Sequence, residues 1–422
     1  MLQRNRIRLA QVANYVGPTS GGLRVVVEEL GQAHLRAGGA RLLILPAPAP
    51  GRMQVGRDLQ LTVASPPLPG SGRRYHVLLH RRAVVAALKA FSPDLVEVHD
   101  QTTLTWVSGW ARDAGIPSVL VSHERLDLVA GDVSRLPASW WDRPGRRWST
   151  GLAAAFDAVV CASDFAAEPF VAGGADNVRR IPFGVDLNAF RPRPAPVDGG
   201  PGGRGRSWSH GAVRLAFAGR LWPDKAPDVA LDVLAELRAT GVPAHLTLVG
   251  AGPMEGPLRR RARRQHLPVR FVGHLADRAE LSATLASADV VVSPGRRETF
   301  GLGILEAMAC GTPVVVSTQG ASRELLGDGA GHAAGSVPGM AMAVRRLVTD
   351  PAEHAAARES ARARAEQFSW DTTIRALSGL RSELRRSGSA RTATAPLVGG
   401  GDGPRPPLPG AARPDLRGLD LG

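Results

Sequence analysis

Apolar and polar positions along the chain follow two periods. Short, mostly apolar runs, such as SVLVSHE at 118–124 and PVVVST at 313–318, precede longer segments in which apolar residues recur every three or four positions. Uninterrupted Val, Ile and Leu runs are typical of strands covered on both faces, and the longer spacing is typical of amphipathic helices. The alternation predicts an α/β protein with parallel sheets between layers of helices.

This pattern occurs once in each half of the chain. The first half has strand-type runs at 8–14, 40–47, 94–100, 118–124 and 158–163, with helix-type segments at 22–37 and 81–91. The second half has strand-type runs at 214–220, 245–250, 269–274, 289–294 and 313–318, with helix-type segments at 227–239, 257–265, 278–288 and 303–309. Two Rossmann-like domains are predicted, facing each other across a cleft, with a ligand at the carboxyl ends of their strands.

Low-complexity segments set the expected domain boundaries. Residues 191–211 and 386–422 are rich in Gly, Pro, Arg and Ser, a composition typical of a flexible linker and of a disordered tail. We therefore expect an N-terminal domain at 1–190 and a C-terminal domain at 212–367. A helical segment at 368–385 follows, with Trp370 as a packing anchor.

The charge and the cysteine content limit the classes of protein to which this chain can belong. The 422 residues include 52 Lys and Arg against 38 Asp and Glu, a net charge of +14, yet Lys89 and Lys225 are the only lysines. No nucleic-acid-binding motif accompanies this charge, so no nucleic-acid partner is expected. Cys161 and Cys310 lie in apolar runs, which excludes a disulfide framework and zinc spacing. The N-terminus resembles a first strand rather than a signal peptide, and no apolar run reaches the roughly 18 residues of a membrane span, so a cytoplasmic protein is expected.

Candidate chemistry in the second half lies at strand-to-helix turns. Arg220 ends one strand and Lys225 follows in the next loop, a pair suited to a diphosphate, or else two incidental cations of a solvated loop. Glu298 and Glu306 flank the helix start at Gly301 and Gly303, whose backbone N–H groups could hold a phosphate. A general acid–base pair is the alternative for the two glutamates.

The first half offers a weaker site. Gly21 and Gly22 follow the first strand and open a helix, an arrangement that can cradle an anion or can be purely structural. His99 and Asp100 end one strand and are candidates for acceptor binding. His123 ends the next strand, and such a lone histidine is often structural.

Longer motifs resemble a known family. The Glu298 to Glu306 element with its continuation EAMACGTPVV, together with AGRLWPDK, resembles retaining glycosyltransferases of family 4, which have the GT-B fold. The segments QVANYVGPTSGGLR, LVSHERLDLVAG and IPFGVDLNAF are similar to mycobacterial-type mannosyltransferases that use GDP-mannose to build phosphatidylinositol mannosides. The resemblance covers about residues 6–384.

The resemblance implies a role for each matching residue. Gly22, Arg220 and Lys225 would bind the donor diphosphate, and Glu306 would bind the nucleotide ribose. Glu298 would hold the transferred hexose together with the backbone of Phe300, Gly301, Leu302 and Gly303. His123 would contact the reacting sugar, and the helix at 368–385 would cross back to the first domain. The family mechanism retains the anomeric configuration: the acceptor hydroxyl enters on the face that the diphosphate leaves and gives its proton to a phosphate oxygen.

No cofactor and no metal are expected. The chain lacks a D-x-D sequence that would hold a metal on the diphosphate. Arg220 and Lys225 would supply the positive charge instead. A metal on His99, Asp100 and His123 is the less favoured alternative.

A membrane surface is a candidate partner. The segment 72–91 combines apolar residues with Arg73, Arg74, Arg81 and Arg82, a pattern typical of helices that lie on acidic lipid. Packing of the same apolar face on the sheet is the alternative. Trp140 and Trp141 lie in a Trp–Arg segment suited to the headgroup layer.

The sequence thus favours a glycosyltransferase that moves mannose from GDP-mannose to a phosphatidylinositol mannoside or related lipid-linked glycan, at the inner face of the plasma membrane. One alternative is a UDP-sugar-dependent enzyme with a soluble or cell-wall acceptor. Another is a non-catalytic nucleotide-sugar-binding or membrane-scaffold protein. The oligomeric state is left open.

Overall fold

The structure is a computed structural model that describes residues 7–17, 20–68, 75–128, 142–192 and 211–394. Within these ranges the chain divides into two units. Unit 1 contains the described residues up to Ala162, Ala166–Ile181 and those from Ile374 onward, and unit 2 contains Ser163–Phe165 and Pro182–Thr373. The expected linker at 191–211 lies almost wholly outside the described residues.

Unit 1 is built on an eight-stranded sheet in the order β3-β4-β2-β1-β5-β6-β7-β8. Its strands are β1 (Arg8–Val12), β2 (Ala40–Ala47), β3 (Gly51–Val55), β4 (Asp58–Ala64), β5 (Leu95–Val98), β6 (Ser118–Ser122), β7 (Ala158–Cys161) and β8 (Val178–Arg180). The pairs are parallel except β3 with β4, which is antiparallel. The sequence analysis missed this hairpin because β3 is largely solvent-exposed and has no continuous apolar run. The prediction of purely parallel sheets is corrected at this edge.

Helices cover the sheet of unit 1. They are α1 (Gly22–Arg36), α2 (Arg81–Phe91), α3 (Trp106–Asp113), α4 (Asp142–Ala155) and α5 (Asp164–Val171), the last of which begins on residues of unit 2. The central strands β1, β5, β6 and β7 are buried along their whole length, as expected for strands covered on both faces.

Unit 2 contains a six-stranded parallel sheet in the order β11-β10-β9-β12-β13-β14. Its strands are β9 (Val213–Ala218), β10 (Ala244–Val249), β11 (Val269–Gly273), β12 (Val290–Ser293), β13 (Val314–Ser317) and β14 (Gly331–Ala334). Its helices are α6 (Pro227–Ala239), α7 (Glu255–Arg264), α8 (Arg278–Ala286), α9 (Leu302–Ala309), α10 (Ser322–Leu326), α11 (Val337–Thr349) and α12 (Pro351–Glu366). The strand order reverses between β9 and β12, which makes their carboxyl ends the expected place for a ligand.

The last helix, α13 (Trp370–Thr394), begins in unit 2 and continues in unit 1 from Ile374. It includes residues 386–394, which the sequence analysis assigned to the tail. Trp370 is buried and stacks on Phe183 of unit 2, with ring centroids 6.5 Å apart. Phe183 lies within the N-terminal domain expected at 1–190, although the division of the structure places it, like Trp370, in unit 2.

No helix among the described residues is long and apolar enough to span a membrane. The apolar side of α2 contributes Ala83, Val84, Leu88 and Phe91 to the core of unit 1. The apolar face that the sequence offered to a bilayer is thus occupied by packing on the sheet, while Arg81 and Arg82 are exposed.

Candidate functional site

Charged side chains of unit 2 meet at the carboxyl ends of β9 and β12. Arg220 donates from Nη2 to Asp224 Oδ2 over 3.1 Å. Lys225 Nζ lies 3.5 Å from the same Asp224 oxygen and 2.9 Å from Glu298 Oε2. Three of these residues were predicted from the sequence, and the structure brings them together. Asp224 was missed, although it lies within the same AGRLWPDK motif.

Backbone geometry holds these side chains in place. Pro223–Lys225 form one turn of 3-10 helix, and Ala226 then adopts a left-handed conformation with a φ of 49° before α6 begins. The loop after β12 runs directly against this turn: a Cβ on Gly295 would lie 3.2 Å from the carbonyl oxygen of Asp224. Glycine at 295 therefore lets the Glu298 loop approach closely enough for Glu298 to pair with Lys225.

The ion cluster determines the protonation state of Lys225. Burial lowers the pKa of its ammonium group, but the nearby carboxylates of Glu298 and Asp224 outweigh this effect, and the net pKa is raised despite the opposing charge of Arg220. Lys225 is therefore a fixed cation at neutral pH. Since it is held on two sides before any ligand arrives, little side-chain entropy remains to be lost on binding an anion.

The start of α9 presents backbone N–H groups beside this cluster. Gly301 caps the helix with a φ of 99° and without a side-chain hydrogen bond to the free N–H groups. A Cβ on Gly303 would lie 2.9 Å from the carbonyl oxygen of Ala218 at the end of β9, so glycine allows the helix start to approach that strand. Phe300 differs from the glycines in being a packing residue, because its ring is buried edge-on against Phe183, with centroids 5.5 Å apart.

Glu306 lies on α9, and the structure does not join it to the ion cluster. Its carboxyl group is half-buried, and burial raises its pKa to about 7 against the opposing charge of Arg278. Among the described residues, nothing donates a hydrogen bond to this carboxylate. A ligand with hydroxyl groups would supply the missing donors.

In unit 1, the turn after β1 leads into α1. The backbone N–H of Gly17 donates to Ser20 Oγ over 2.7 Å, and Ser20 Oγ donates to the Gly17 carbonyl oxygen. Gly21 and Gly22 follow and are solvent-exposed. A Cβ on Gly21 would meet no protein atom within 4 Å, so side-chain packing does not require glycine there.

His123 follows β6 and pairs with His99, which follows β5. Their nitrogens His99 Nδ1 and His123 Nε2 are 3.0 Å apart, and the rings are stacked. His99 is buried, with 2% of its surface exposed, and its Nε2 lies 3.9 Å from Glu97 Oε2. Arg381 of α13 donates from Nε to Glu97 Oε1 over 2.6 Å. The sequence analysis missed Glu97 and Arg381, because Glu97 lies inside a strand-type run and its partner is 284 positions away.

Burial lowers the pKa of His99 to about 4, although Glu97 raises it, and burial together with His99 lowers the pKa of His123 well below its usual value. Both imidazoles are therefore neutral at physiological pH. No group of three or more His, Cys, Asp or Glu that could hold a metal ion occurs among the residues that the structure describes.

Asp100 is buried, and its side chain accepts hydrogen bonds from the neighbouring backbone. Its carboxylate accepts hydrogen bonds from the backbone N–H groups of Thr102, Thr103 and Leu104 at 2.8–3.1 Å. The amide of Asn14 donates to it over 3.1 Å. These bonds fix the loop that precedes α3.

The proposed membrane residues are described only in part. Arg73, Arg74, Trp140 and Trp141 lie outside the described residues. The guanidinium of Arg81 lies over the Trp106 ring, 5.3 Å from its centroid. Leu79, just before α2, is 58% exposed, and Trp148 of α4 is 47% exposed.

Both units match known protein families. Residues 20–189 match the model described as Glycosyltransferase Family 4, and residues 212–350 match the model described as Glycosyl transferases group 1.

Two relatives with assigned activities are similar to this chain over much of its length. A GDP-mannose-dependent alpha-(1-6)-phosphatidylinositol dimannoside mannosyltransferase of Mycobacterium tuberculosis is 38% identical over 370 residues, which is 86% of this chain and 93% of the relative. A D-inositol 3-phosphate glycosyltransferase of Saccharomonospora viridis is 32% identical over 309 residues, 66% of this chain and 68% of the relative.

Solved structures share the fold. A sucrose-phosphate synthase from Thermosynechococcus elongatus superposes with a TM-score of 0.72 at 20% identity, covering 90% of this chain and all of that one. The Anabaena protein Alr3699/HepE, solved in complex with UDP-glucose, gives a TM-score of 0.66 at 20% identity over 90% of this chain and all of that one.

Proposed function

This chain belongs to glycosyltransferase family 4, and we propose that it transfers mannose from GDP-mannose to a phosphatidylinositol mannoside or a related lipid-linked glycan. Its fold class is GT-B, as the sequence resemblance implied, and it is a glycosyltransferase. One observation carries the finer proposal: similarity extends over 93% of a mycobacterial relative whose name specifies GDP-mannose and a phosphatidylinositol dimannoside.

In this proposal the ion cluster of unit 2 receives the donor diphosphate. Arg220 and Lys225 lie within 3.5 Å of Asp224, so both cations are held at one strand end. As the bond from the diphosphate to the sugar breaks, negative charge grows on the leaving phosphate, and fixed cations stabilise it more than they stabilise the intact donor. In the free protein, the carboxylates of Asp224 and Glu298 balance the positive charge of these side chains.

Glu298 and the start of α9 would bind the transferred hexose. Glu298 is held by Lys225 at 2.9 Å, and its carboxylate can accept hydrogen bonds from sugar hydroxyls. The N–H groups that follow Gly301 add donors and the positive end of the helix dipole. Glu306, one helical turn beyond, would accept from the ribose hydroxyls.

Unit 1 would supply groups for the donor and for the reacting sugar. Gly21 and Gly22 would let the backbone of the α1 start approach the phosphates, which agrees with the absence of any packing need for glycine at 21. His123 would contact a hexose hydroxyl. Because the side chains of His99 and Asp100 are buried, we now assign them to holding His123 and the neighbouring loop rather than to direct acceptor contact.

The transfer step needs no strong base from the protein. The bond between the acceptor oxygen and the anomeric carbon forms as the bond from that carbon to the phosphate oxygen breaks, on the same face of the sugar. The acceptor proton passes to a phosphate oxygen of the leaving GDP. The chain's own contribution is to position the reactants and to stabilise the growing charge.

We further propose that the protein binds peripherally to acidic lipid at the inner face of the plasma membrane. Arg81 and Arg82 at the start of α2 are exposed, with the exposed Leu79 just before them. Exposed arginines near an anionic surface are worth about 1 kcal/mol each. Binding to vesicles containing phosphatidylinositol should weaken with salt and in Arg81→Ala/Arg82→Ala. Equal binding to neutral vesicles would count against this site.

The deciding experiment offers the purified protein radiolabelled GDP-mannose or UDP-glucose, together with vesicles that contain phosphatidylinositol mannosides. We expect label to enter lipid from GDP-mannose only. Entry from UDP-glucose alone would favour the UDP-sugar alternative. Binding of a nucleotide sugar without transfer or hydrolysis would favour the non-catalytic alternative.

A further inference from the structure

A three-residue segment that follows β7 contacts the backbone of the Glu298 loop. This segment, Ser163–Phe165, belongs to unit 2, although the chain on both sides of it belongs to unit 1. Ser163 is buried, and its Oγ donates to the carbonyl oxygen of Thr299 over 2.6 Å. Thr299 directly follows Glu298 in the chain. The segment therefore holds the loop that carries the carboxylate proposed to bind the hexose.

Glu324 of α10 holds the same segment in place. Its carboxylate oxygens accept from the backbone N–H groups of Asp164 and Phe165, both over 2.8 Å. These N–H groups lie at the start of α5, where a helix has no carbonyl groups of its own to accept from them. Hydrogen bonds to a carboxylate are stronger than those between neutral groups, and negative charge is favoured at a helix N-terminus. Glu324 thus fixes the backbone directly after Ser163.

The residue before α10 holds the neighbouring carbonyl group of the loop. The backbone N–H of Ala321 donates to the Glu298 carbonyl oxygen over 2.7 Å. Gly320 precedes it with a φ of 81°, and a Cβ on Gly320 would lie 3.0 Å from the carbonyl oxygen of Arg296 and 3.2 Å from the Glu298 nitrogen. Glycine at 320 therefore lets the two loops approach. The carbonyl groups of Glu298 and Thr299 are both held, one by the start of α10 and the other by the segment that Glu324 fixes.

We propose that Ser163 and Glu324 are positioning residues that clamp the Glu298 loop in the orientation needed to bind the sugar of the donor. Hydrogen bonds to two successive carbonyl groups fix both peptide planes that follow the Glu298 Cα atom. Lys225 holds the carboxylate at the far end of the side chain. Glu298 is thereby held at both ends, as precise ligand binding requires. The clamp is a property of the free protein, and only its effect on the sugar rests on the proposed function.

Hydrogen exchange of the free protein tests the clamp directly. In Ser163→Ala the Ala321 amide should exchange about 5–10-fold faster, the size expected for loss of one hydrogen bond, because its acceptor belongs to the released loop. The amide of Ala279, which donates to the Asp277 side chain at the start of α8, is the internal reference and should not change. An Ala321 amide that exchanges at the unmodified rate would overturn the proposal.

Glu324→Gln provides a second variant, which decides if Ser163→Ala does not fold. Glutamine offers one acceptor oxygen where glutamate offers two, so one of the two bonds to the start of α5 is lost. The amides of Asp164, Phe165 and Ala321 should then all exchange faster. Faster exchange at Asp164 and Phe165 with an unchanged Ala321 amide would show that Glu324 only caps α5, and would refute the clamp.

Asp350→Asn is the matched control. Asp350 is also a carboxylate that accepts from two backbone N–H groups at a helix start in unit 2, those of Ala352 and Glu353 on α12. Its replacement should destabilise the protein and leave the Ala321 amide unchanged relative to Ala279. A selective increase in exchange at Ala321 in this control would contradict the proposal, because general destabilisation would then explain the result.

Ligand binding provides the second readout. Calorimetry with GDP-mannose and with GDP separates the binding of the hexose from that of the nucleotide. Ser163→Ala and Glu324→Gln should weaken GDP-mannose binding about 10-fold, a size typical when an outer hydrogen-bond partner is lost, and leave GDP binding nearly unchanged. Equal weakening of both ligands would refute the effect on the sugar. Absence of GDP-mannose binding by the unmodified protein would refute the proposed function and leave the exchange result standing.

Discussion

Replacing Glu306 by glutamine should stabilise the ligand-free protein, and by more at pH 8 than at pH 5. Glu306 is half-buried, and burial raises its pKa to about 7. At pH 8 the folded protein carries this group as an anion that accepts no hydrogen bond from the described residues. The Glu306→Gln variant is neutral at every pH and avoids that penalty.

The magnitude follows from two pKa values. The group titrates near 4.5 in the unfolded chain and near 7 in the folded protein. Between these values the folded state binds more protons than the unfolded state, so the free energy of unfolding decreases as the pH rises. At about 1.36 kcal/mol per pKa unit, full ionisation costs the folded state about 3 kcal/mol, of which roughly 2.5 kcal/mol falls between pH 5 and pH 8.

Urea titrations between pH 5 and pH 8 measure this difference, with Glu280→Gln, a change of an exposed glutamate on α8, as the control. The stability gain of Glu306→Gln over the unmodified protein should grow with pH, while the control should show no such trend. Saturating GDP should reduce the gain, because ribose hydroxyls would satisfy the carboxylate. A gain of equal size at pH 5 and pH 8 would refute the reasoning.

Three further predictions concern the ion cluster and the helix start. Arg220→Ala or Lys225→Ala should lower kcat about 10²–10³-fold, as expected for the loss of one fixed charge, whereas Arg260→Ala on α7 should leave kcat unchanged. Steady-state kinetics with GDP-mannose measure these effects. Unimpaired turnover in either of the first two variants would contradict the role of that cation in stabilising the leaving diphosphate. Transfer activity should persist in excess EDTA, because Arg220 and Lys225 would take the place of a metal ion on the diphosphate. Strong inhibition by EDTA would indicate that the enzyme needs a metal ion. Gly301→Ala should destabilise the protein by about 1–2 kcal/mol, because its φ of 99° is strained for any residue with a Cβ, and an unchanged urea midpoint would contradict this.

The sequence predicts most of the sheet framework because buried strands leave a strong signal. The run predicted at 118–124, for example, starts at the first residue of β6 and extends two residues past its end. The β3–β4 hairpin leaves no such signal, since an edge strand tolerates exposed polar residues. The segment containing α2 is amphipathic whether its apolar face meets lipid or the sheet, so only the packing of residues such as Val84 decides between them.

The candidate site is predicted only where it follows the chain locally. Arg220, Lys225 and Glu298 stand at strand ends, where the topology of an α/β sheet brings residues together. Glu97 and Arg381 are brought together by tertiary structure alone, and no sequence pattern around either residue predicts that the other is its partner. Buried ion pairs of this kind become apparent only once the packing is known.

The pairing of Glu97 with Arg381 also constrains how the protein is made. During synthesis Glu97 emerges 284 residues ahead of its partner. Leaving a carboxylate in the middle of a sheet without its counter-charge costs several kcal/mol, so the core of the first half is less stable until Arg381 has been translated and has docked. That half reaches its final state only after the last helix has been translated, and premature termination before residue 381 should yield a product that chaperones and proteases recognise as unfinished.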